Sequence, residues 1–226
     1  ENRRVRKSGF TIAPEAGSAR MRRVINKGND EQDLLNAVRA TFGAGWDLIK
    51  MYFMIGLPTE TDDDVAAIAD LAKHALDVGR SMNRRARVTA AVSTFAPKPM
   101  TPFQWCRQIG IEETRDKQNL LLRAFKGSRV DFKRHDAPQT LIEGVLSRGD
   151  RRVGRAILLM HERGGRFDGW TEYFSLDAWR QAMADVGLDV AWYLRERDKD
   201  EVLPWDHLDA LMPKSFFWDD YQAGLA

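Results

Sequence analysis

The feature that most constrains the fold is an apolar run that ends abruptly at a glycine and a proline. Residues 48–55 are apolar except for Lys50, as expected of a strand that helices cover on both faces. Beyond the Gly-Leu-Pro break, Thr61 is followed three residues later by Asp64, which is the spacing of a capping box that opens a helix. The pattern predicts a buried parallel strand in a barrel-like sheet, followed directly by a helix.

Two other short apolar runs end in similar clusters. Residues 9–14 lead into Glu15-Ala-Gly-Ser18 and a helix predicted from Ala19, and residues 88–96 lead into a proline-rich segment. Ligands of parallel α/β sheets collect where the carboxyl ends of strands meet the following helices. These ends are therefore the expected binding site, although a strand-to-helix turn without a ligand is the alternative for any one segment taken alone.

The helix between the first two runs is predicted from its two ends. Asn29 and Gln32 have capping-box spacing, and Gly43 and Gly45 mark its C-terminus. The chain order is thus strand, helix, strand, helix, strand. This alternation predicts an α/β fold with parallel strands.

The second half of the chain has a different pattern. Mainly helical segments, with one short strand near residues 130–133, are predicted over residues 113–126, 140–146 and 153–162. The remainder is rich in Trp, Tyr and Phe, which we expect to pack a compact extension. The alternative is that some of these rings line a surface for a substrate or a partner. The sequence therefore predicts two parts, an α/β barrel half over residues 1–108 and a mainly helical, aromatic-rich extension over residues 109–226.

Composition narrows the class of protein without identifying it. Lys and Arg number 35 against 33 Asp and Glu, a balance too even to indicate nucleic acid or membrane as a partner. No apolar stretch approaches the roughly 20 residues that span a bilayer. The single cysteine, Cys106, excludes internal disulfides and fits a reducing compartment. We therefore expect a cytoplasmic protein with no membrane partner.

One dense charged cluster lies in the second part. Its members are Arg148, Asp150, Arg151, Arg152 and Arg155. Guanidinium groups suit phosphate oxygens, so phosphate or RNA binding is one interpretation. An intramolecular ion network at a helix end is the favoured one. The four histidines are scattered without ligand spacing, so no metal site is predicted.

The three strand ends together resemble those of a radical S-adenosylmethionine (SAM) enzyme. The motifs that are similar to the family's fourth, fifth and sixth strand ends are Glu15-Ala-Gly-Ser18 with Ile25-Asn-Lys-Gly28, Phe53-Met-Ile-Gly-Leu-Pro-Thr-Glu60, and Thr94-Phe-Ala-Pro97 with Thr101-Pro102. They occur in the family's order at similar spacing. The resemblance implies the C-terminal half of a partial (β/α) barrel, horseshoe-like, with residues 109–226 as its extension.

The wider pattern resembles a bacterial subfamily that joins a cobalamin-binding-type domain to a radical SAM domain. The segments that carry this likeness are Ser147-Arg-Gly-Asp-Arg-Arg-Val153, Arg166-Phe-Asp-Gly-Trp170 and Leu203-Pro-Trp-Asp206. The resemblance covers nearly the whole chain. It leaves open a cobalamin cofactor in the parent protein.

The resemblance also implies which residues hold SAM. Glu15 would hold the amino group or the ribose, while Ser18 and Lys27 would grip the methionine carboxylate. No residue is implied to act as a general acid, base or nucleophile, since the cofactors carry the difficult chemistry.

The adenine is expected against the turn after the second strand. The backbone of Ile55, Gly56 and Leu57 would lie beside the ring, where a side chain at Gly56 would prevent close approach. Some relatives place an acid for the ribose four residues before this glycine. This chain has Tyr52 there, which is a departure from the family pattern.

The largest departure concerns the iron–sulfur cluster. Radical SAM chemistry needs a 4Fe-4S cluster held by three cysteines of a C-x-x-x-C-x-x-C loop, and this chain has one cysteine. The Gly-rich stretch after the family's second strand is also absent. We therefore expect a fragment whose missing N-terminal barrel half carries the cluster ligands and is its partner.

The implied function is a radical SAM enzyme that generates a 5′-deoxyadenosyl radical for an unknown substrate. Two alternatives stay open at this point. One is an enzyme similar to the tRNA-modifying methylthiotransferases, which would make nucleic acid a partner. The other is a non-catalytic binding or assembly module that uses the aromatic extension.

Overall fold

The computed structural model describes residue 7 and residues 9–225. The chain divides into two compact units. Of the described residues, the first unit comprises residue 7 and residues 9–93 and 115–135, and the second comprises residues 94–114 and 136–225. The predicted division at residues 108/109 into barrel half and extension stays a prediction.

The first unit is built on a four-stranded parallel sheet, so the predicted α/β class is confirmed. Its strands, in the spatial order β1-β2-β3-β4, are β1 (Phe10–Glu15), β2 (Leu48–Ile55), β3 (Arg87–Thr94) and β4 (Asp131–Arg134). β1 pairs with β2 in a register that places Glu15 opposite Phe53, after an irregularity between Ile12 and Glu15. The carboxyl ends of β1 and β2 therefore lie side by side.

Helices connect the strands as the alternating pattern predicts. They are α1 (Ala19–Val24), α2 (Glu31–Gly43) and α3 (Asp62–Met82), followed by α4 (Ile111–Phe125), whose residues from 115 belong to this unit. Apolar residues of β2, α2 and α3, including Ile49, Val38 and Ile68, form one buried core. The Thr61–Asp64 capping box at the start of α3 is confirmed.

Two details of the sequence interpretation are wrong. β2 is not covered on both faces, because its burial alternates and the Lys50 and Tyr52 side chains are exposed. The run contains too many large apolar residues for this alternation to be visible in the sequence. The cap of α2 is Asp30 with Asp33, rather than Asn29 with Gln32. The two pairs have the same spacing, and the carboxylate of Asp33 accepts the backbone N–H of Asp30.

The second unit is mainly helical, as the extension was expected to be. Its helices are the start of α4, then α5 (Ala137–Arg148), α6 (Val153–Glu162), α7 (Leu176–Asp185), α8 (Val190–Leu194) and α9 (Lys214–Leu225), with a short 3-10 helix over Pro102–Trp105. One core packs α5 to α8 together. A second, aromatic core gathers Trp105, Trp205 and Tyr221.

The expectation that aromatic rings pack this unit holds for some of them. Trp179 and Trp205 are buried, whereas Trp170 and Trp192 are more than half exposed. Within the described residues, no helix is both long and apolar enough to cross a membrane.

Candidate functional site

The candidate site lies at the carboxyl ends of β1 and β2, within the first unit. Glu15 ends β1 with a backbone φ of 68°, and Gly56 follows β2 with a φ of 83°. A left-handed backbone is unusual for a residue other than glycine, and such residues concentrate at functional sites. The two turns that carry the predicted residues are thus both locally special.

Glu15 and Lys27 face each other across the loop that contains α1. The Lys27 Nζ lies 3.8 Å from a carboxylate oxygen of Glu15. Their side chains are 29% and 35% exposed, respectively, so both heads remain accessible. At this separation the attraction is modest, and either group can turn to a ligand. The structure therefore brings together two of the residues that the resemblance implies.

Ser18 has a local structural role in addition to its predicted one. Its Oγ accepts the N–H of Met21 at 3.1 Å as the cap of α1, and it donates to a carboxylate oxygen of Asp64 at 2.6 Å. The hydroxyl proton is therefore committed to Asp64. A ligand would find only an acceptor at this oxygen.

Asp64 holds the α1 and α3 N-termini together. Besides the bond from Ser18, its carboxylate accepts bonds from the guanidinium of Arg20 and from Thr61. Burial alone would raise the pKa of Asp64, but the bonds from Arg20, Ser18 and Thr61 outweigh it and hold that pKa well below its usual range. Asp64 is therefore ionised at neutral pH and fixes the loop that follows β1.

The turn after β2 is fixed from inside the unit. The backbone N–H of Gly56 donates to the Glu60 carboxylate at 2.7 Å, and Lys117 of α4 places its Nζ 3.1 Å from the same oxygen. The Glu60 and Lys117 side chains are 3% and 10% exposed. Burial raises the pKa of Glu60, although Gly56 and Lys117 both act to lower it. This buried pair fixes the shape of the turn.

The same turn is held from outside by Arg20. Its Nη2 donates to the carbonyl of Thr59 at 2.8 Å, and its Nη1 donates to the Thr59 hydroxyl at 3.1 Å. Thr59 has a φ of 63°, a conformation that costs of order 1–3 kcal/mol and persists only where the surroundings enforce it. The predicted adenine-facing turn is therefore rigid.

Ile55, Gly56 and Leu57 are all buried. The Gly56 N–H is already bonded to Glu60, so it is not available to donate to a ligand. The contact that the resemblance implies, backbone against a flat ring, needs no such bond. It requires the absence of a side chain, and an L side chain at a φ of 83° would be strained.

Gly17 shows how closely the β1 loop approaches α3. A Cβ built on Gly17 would lie 2.2 Å from the backbone nitrogen of Ile68. No side chain fits against helix backbone at that distance. The glycine is therefore required for the β1 loop to pack against α3 at Ala67 and Ile68.

The donor set at the strand ends fits the methionine part of SAM. A carboxylate and an ammonium, both partly exposed and close together, complement the amino and carboxylate groups of an amino acid. They do not fit an iron–sulfur cluster. Among the described residues, no group of three or more His, Cys, Asp or Glu is placed to hold a metal. Cys106 is buried in the second unit, and burial raises its pKa to about 12.

The charged cluster of the second unit is divided by the fold. Arg148 is fully buried, whereas Arg151, Arg152 and Arg155 are exposed. Asp150 pairs with Arg152 at 2.7 Å. The surface that remains for phosphate or RNA is thus smaller than the sequence suggests.

Sequence reasoning missed the buried pair of Glu60 and Lys117 and the role of Asp64. In the sequence, Glu60 is the last residue of a motif that resembles the radical SAM family, and Asp64 is the acid of a predicted capping box. Lys117 carries no local signal, because its partner is distant in the sequence. Glu60 precedes Thr61, the N-cap of α3, and contacts Gly56 and Lys117, so no helical spacing in the sequence relates it to Asp64.

Comparison with known proteins leaves the family open. No family model matches the chain, and no solved structure matches it significantly. An uncharacterized protein of Methanocaldococcus jannaschii is 33% identical over 152 residues, which is 65% of this chain and 31% of that protein. The chain thus spans about a third of the length of this relative. The relative's name gives no activity.

Proposed function

We propose that this chain is the C-terminal half of a radical SAM domain and holds SAM at the carboxyl ends of β1 and β2. The observation that carries the proposal is the accessible pair of Glu15 and Lys27 beside the rigid Gly56 turn. A carboxylate and an ammonium in this arrangement suit a zwitterionic amino-acid group. The parent protein would be cytoplasmic.

The residues have distinct roles in this proposal. Glu15 receives the amino group and Lys27 the carboxylate of the methionine part, each by a charge-assisted hydrogen bond. Glu60 and Lys117 hold the Gly56 turn in the shape that receives the adenine. Preorganisation of this kind improves binding because little is left to order when the ligand arrives.

The chemistry itself comes from the cofactors. SAM and a 4Fe-4S cluster ligated upstream of this chain would supply a 5′-deoxyadenosyl radical that abstracts hydrogen from a substrate. This chain positions SAM and excludes water from the turn. The substrate and any cobalamin in the parent protein are not indicated by the described residues.

The alternative of a tRNA-modifying enzyme is supported by only part of the arginine cluster that the sequence contains. Of the cluster that supported it, Arg148 is buried and Arg152 is paired with Asp150. Arg151 and Arg155 remain exposed. A non-catalytic module is the outcome if the full-length protein neither binds nor cleaves SAM.

The test is SAM cleavage by the full-length protein, reconstituted anaerobically with iron and sulfide and reduced with dithionite. We expect 5′-deoxyadenosine from the unaltered protein and a KM for SAM at least about tenfold higher for Glu15→Gln, since a hydrogen bond to a charged group is worth about 1.5–3 kcal/mol. Gly56→Val should lose activity. Glu143→Gln, which removes an exposed ion pair with Lys98 in the second unit, is the matched control. No cleavage by a protein with an intact cluster would contradict the proposal.

A further inference from the structure

A cavity of about 440 Å³ lies in the second unit. All of its lining residues belong to that unit, and two of them come from the Leu203-Pro-Trp-Asp206 segment, which the proposed SAM site does not use. Pockets that bind small organic molecules have volumes of about 300–1,000 Å³, so the cavity is large enough for such a ligand. The lining residues that carry most of the argument are Met100, Gln104, Trp205, Asp209, Met212 and Phe217.

The Gln104 side chain lies on the closed side of the cavity, since Gln104 is only 3% exposed. Its Oε1 accepts the indole N–H of Trp205 at 2.6 Å and the backbone N–H of Met100 at 3.2 Å. Both of these groups can only donate, so the oxygen of the amide, rather than its nitrogen, must face them. The two bonds therefore fix which way the amide points.

The amide nitrogen of Gln104 is left without a partner. Nε2 has no acceptor among the described residues, and it is not one of the polar atoms that are sealed from solvent. Buried donors are paired in the great majority of cases. A ligand that displaces water from Nε2 must supply an acceptor in its place, or it loses affinity. The cavity therefore selects a ligand with a hydrogen-bond acceptor at its buried end.

The walls of the cavity suit a flat ring. They include the side chains of Met100, Trp205, Met212 and Phe217. Trp205 is 7% exposed and is anchored by its bond to Gln104, so the position of its indole is fixed before a ligand arrives. Aromatic rings and thioethers both pack favourably against aromatic rings. We therefore expect the body of the ligand to be aromatic.

The exposed side of the cavity carries a carboxylate without a cation. The Lys214 ammonium lies 2.7 Å from the carboxylate of Asp206, so these two charges cancel. Asp209 accepts the backbone N–H of Leu211 at 2.8 Å, and it forms no ion pair with any described residue. The lining also includes His207, and histidine is mostly neutral at pH 8. This side therefore favours a ligand that donates hydrogen bonds and disfavours an anion.

We propose that the cavity binds an uncharged nucleoside. The base lies against Trp205 and Phe217 and accepts a bond from Nε2 of Gln104. A sugar hydroxyl donates to Asp209. Bases carry acceptors on their edges, and a carboxylate holds ribose through a hydroxyl in dinucleotide-binding proteins. The inference does not rest on the proposed SAM site, because every residue that builds this cavity belongs to the second unit.

The experiment is equilibrium dialysis of the full-length protein at pH 8 against radiolabelled inosine and, separately, uridine. Neither is the nucleoside of SAM, so the probes differ from the ligand of the proposed SAM site. We expect saturable binding of at least one of the two nucleosides, at about one per chain. Its 5′-monophosphate should bind at least about tenfold more weakly, because the phosphate lies near the Asp209 carboxylate.

Two variants locate the bound nucleoside. Gln104→Glu keeps an oxygen for the bonds from Trp205 and Met100 but replaces the amide donor with a second acceptor, so affinity should fall at least about tenfold. Ala210→Phe narrows the cavity from an exposed position of its lining, and it should weaken binding as much even where Gln104→Glu fails to fold. Ala184→Phe is the matched control, since Ala184 is an exposed residue of α7 outside the lining. Its affinity should equal that of the unaltered protein.

Three results would overturn the proposal. The first is the absence of saturable binding of either nucleoside. The second is equal nucleoside affinity of Ala210→Phe and Ala184→Phe, which would place any bound nucleoside elsewhere. The third is tighter binding of the monophosphate than of the nucleoside, which would show that the site selects an anion.

Discussion

Two glutamate–lysine pairs serve the same edge of the sheet, and they differ in how tightly they are committed. Glu15 and Lys27 are separated by 3.8 Å and are roughly one-third exposed. Glu60 and Lys117 are separated by 3.1 Å and are almost completely buried. The first pair can exchange its partner for a ligand at little cost, whereas breaking the second leaves a charge inside the protein.

This difference assigns the two pairs different roles: the exposed pair is suited to bind a ligand, and the buried pair stabilises the turn after β2. The open pair offers charges that a zwitterion can use, and the closed pair holds the Gly56 turn through a bond to its N–H. The same edge of the sheet therefore carries a turn that is fixed by buried contacts and a pair of charged side chains that are free to contact a ligand. Changes to the closed side should therefore affect stability strongly, and changes to the open side should affect it weakly.

The largest effect on stability is expected for Lys117→Met. The variant leaves the Glu60 carboxylate buried without its cation, which typically costs 3–5 kcal/mol. The free energy of unfolding, measured by chemical denaturation of the chain, should fall by about that amount. Glu60→Gln added to Lys117→Met should restore most of the loss. A loss no greater than that of Lys27→Met would remove the distinction between the two pairs.

The next effect is expected for Gly17→Ala, which tests the contact between the β1 loop and α3. A Cβ there would lie 2.2 Å from the Ile68 nitrogen, and overpacking of this kind costs about 1–3 kcal/mol. Gly28→Ala is the matched control, since a Cβ at Gly28 meets nothing within 4 Å. Equal thermal midpoints of the two variants would show that the loop moves away without cost.

The two buried acids should give opposite dependences on pH. Because the pKa of Asp64 is lowered in the folded chain, its stabilisation is present above its ordinary pKa of about 3.9 and is lost as the pH falls below it. The advantage of the unaltered chain over Asp64→Asn, about 2 kcal/mol at neutral pH, should therefore shrink in acid. Urea denaturation at several pH values measures this difference.

For Glu60 the sign is reversed. Its pKa is raised in the folded chain, so its contribution is most favourable below its ordinary pKa of about 4.3 and is lost as the pH rises through the raised value. Relative to Glu60→Gln, the unaltered chain should thus gain stability as the pH falls from 7 toward 4. A parallel trend for the two acids would contradict the assignment of their environments.

The smallest effect is expected for Glu15→Gln and Lys27→Met. A partly exposed pair of this kind contributes less than about 1 kcal/mol, so the unfolding free energy of each variant should be nearly that of the unaltered chain. A loss as large as that of Lys117→Met would show that the open pair is structural. The two variants are therefore suitable for binding measurements.

Local patterns predicted the elements well. β2 was predicted from the apolar run over residues 48–55, and the Thr61–Asp64 box marked the start of α3, because both depend on neighbours in the sequence. The exposed face of β2 was not predictable from the sequence, because Tyr52 and Met54 are apolar residues that nevertheless lie outside the buried core.

The site was less predictable because its support comes from distant residues. Ser18 was identified as a candidate ligand, but its bond to Asp64 depends on how the β1 loop packs on α3. Lys117 reaches Glu60 from α4. The buried guanidinium of Arg148 donates to backbone carbonyls of residues that are distant in the sequence. Burial of a charge is decided by tertiary packing, which no local spacing encodes.

The most direct test of the SAM site is isothermal titration calorimetry of SAM with the full-length protein. Lys27→Met is compared with Lys98→Met, which removes an exposed lysine paired with Glu143 in the second unit. The proposed site predicts saturable binding that is at least about tenfold weaker for Lys27→Met and unchanged for Lys98→Met. Equal affinity of the two variants, or no binding by the unaltered protein, would contradict it.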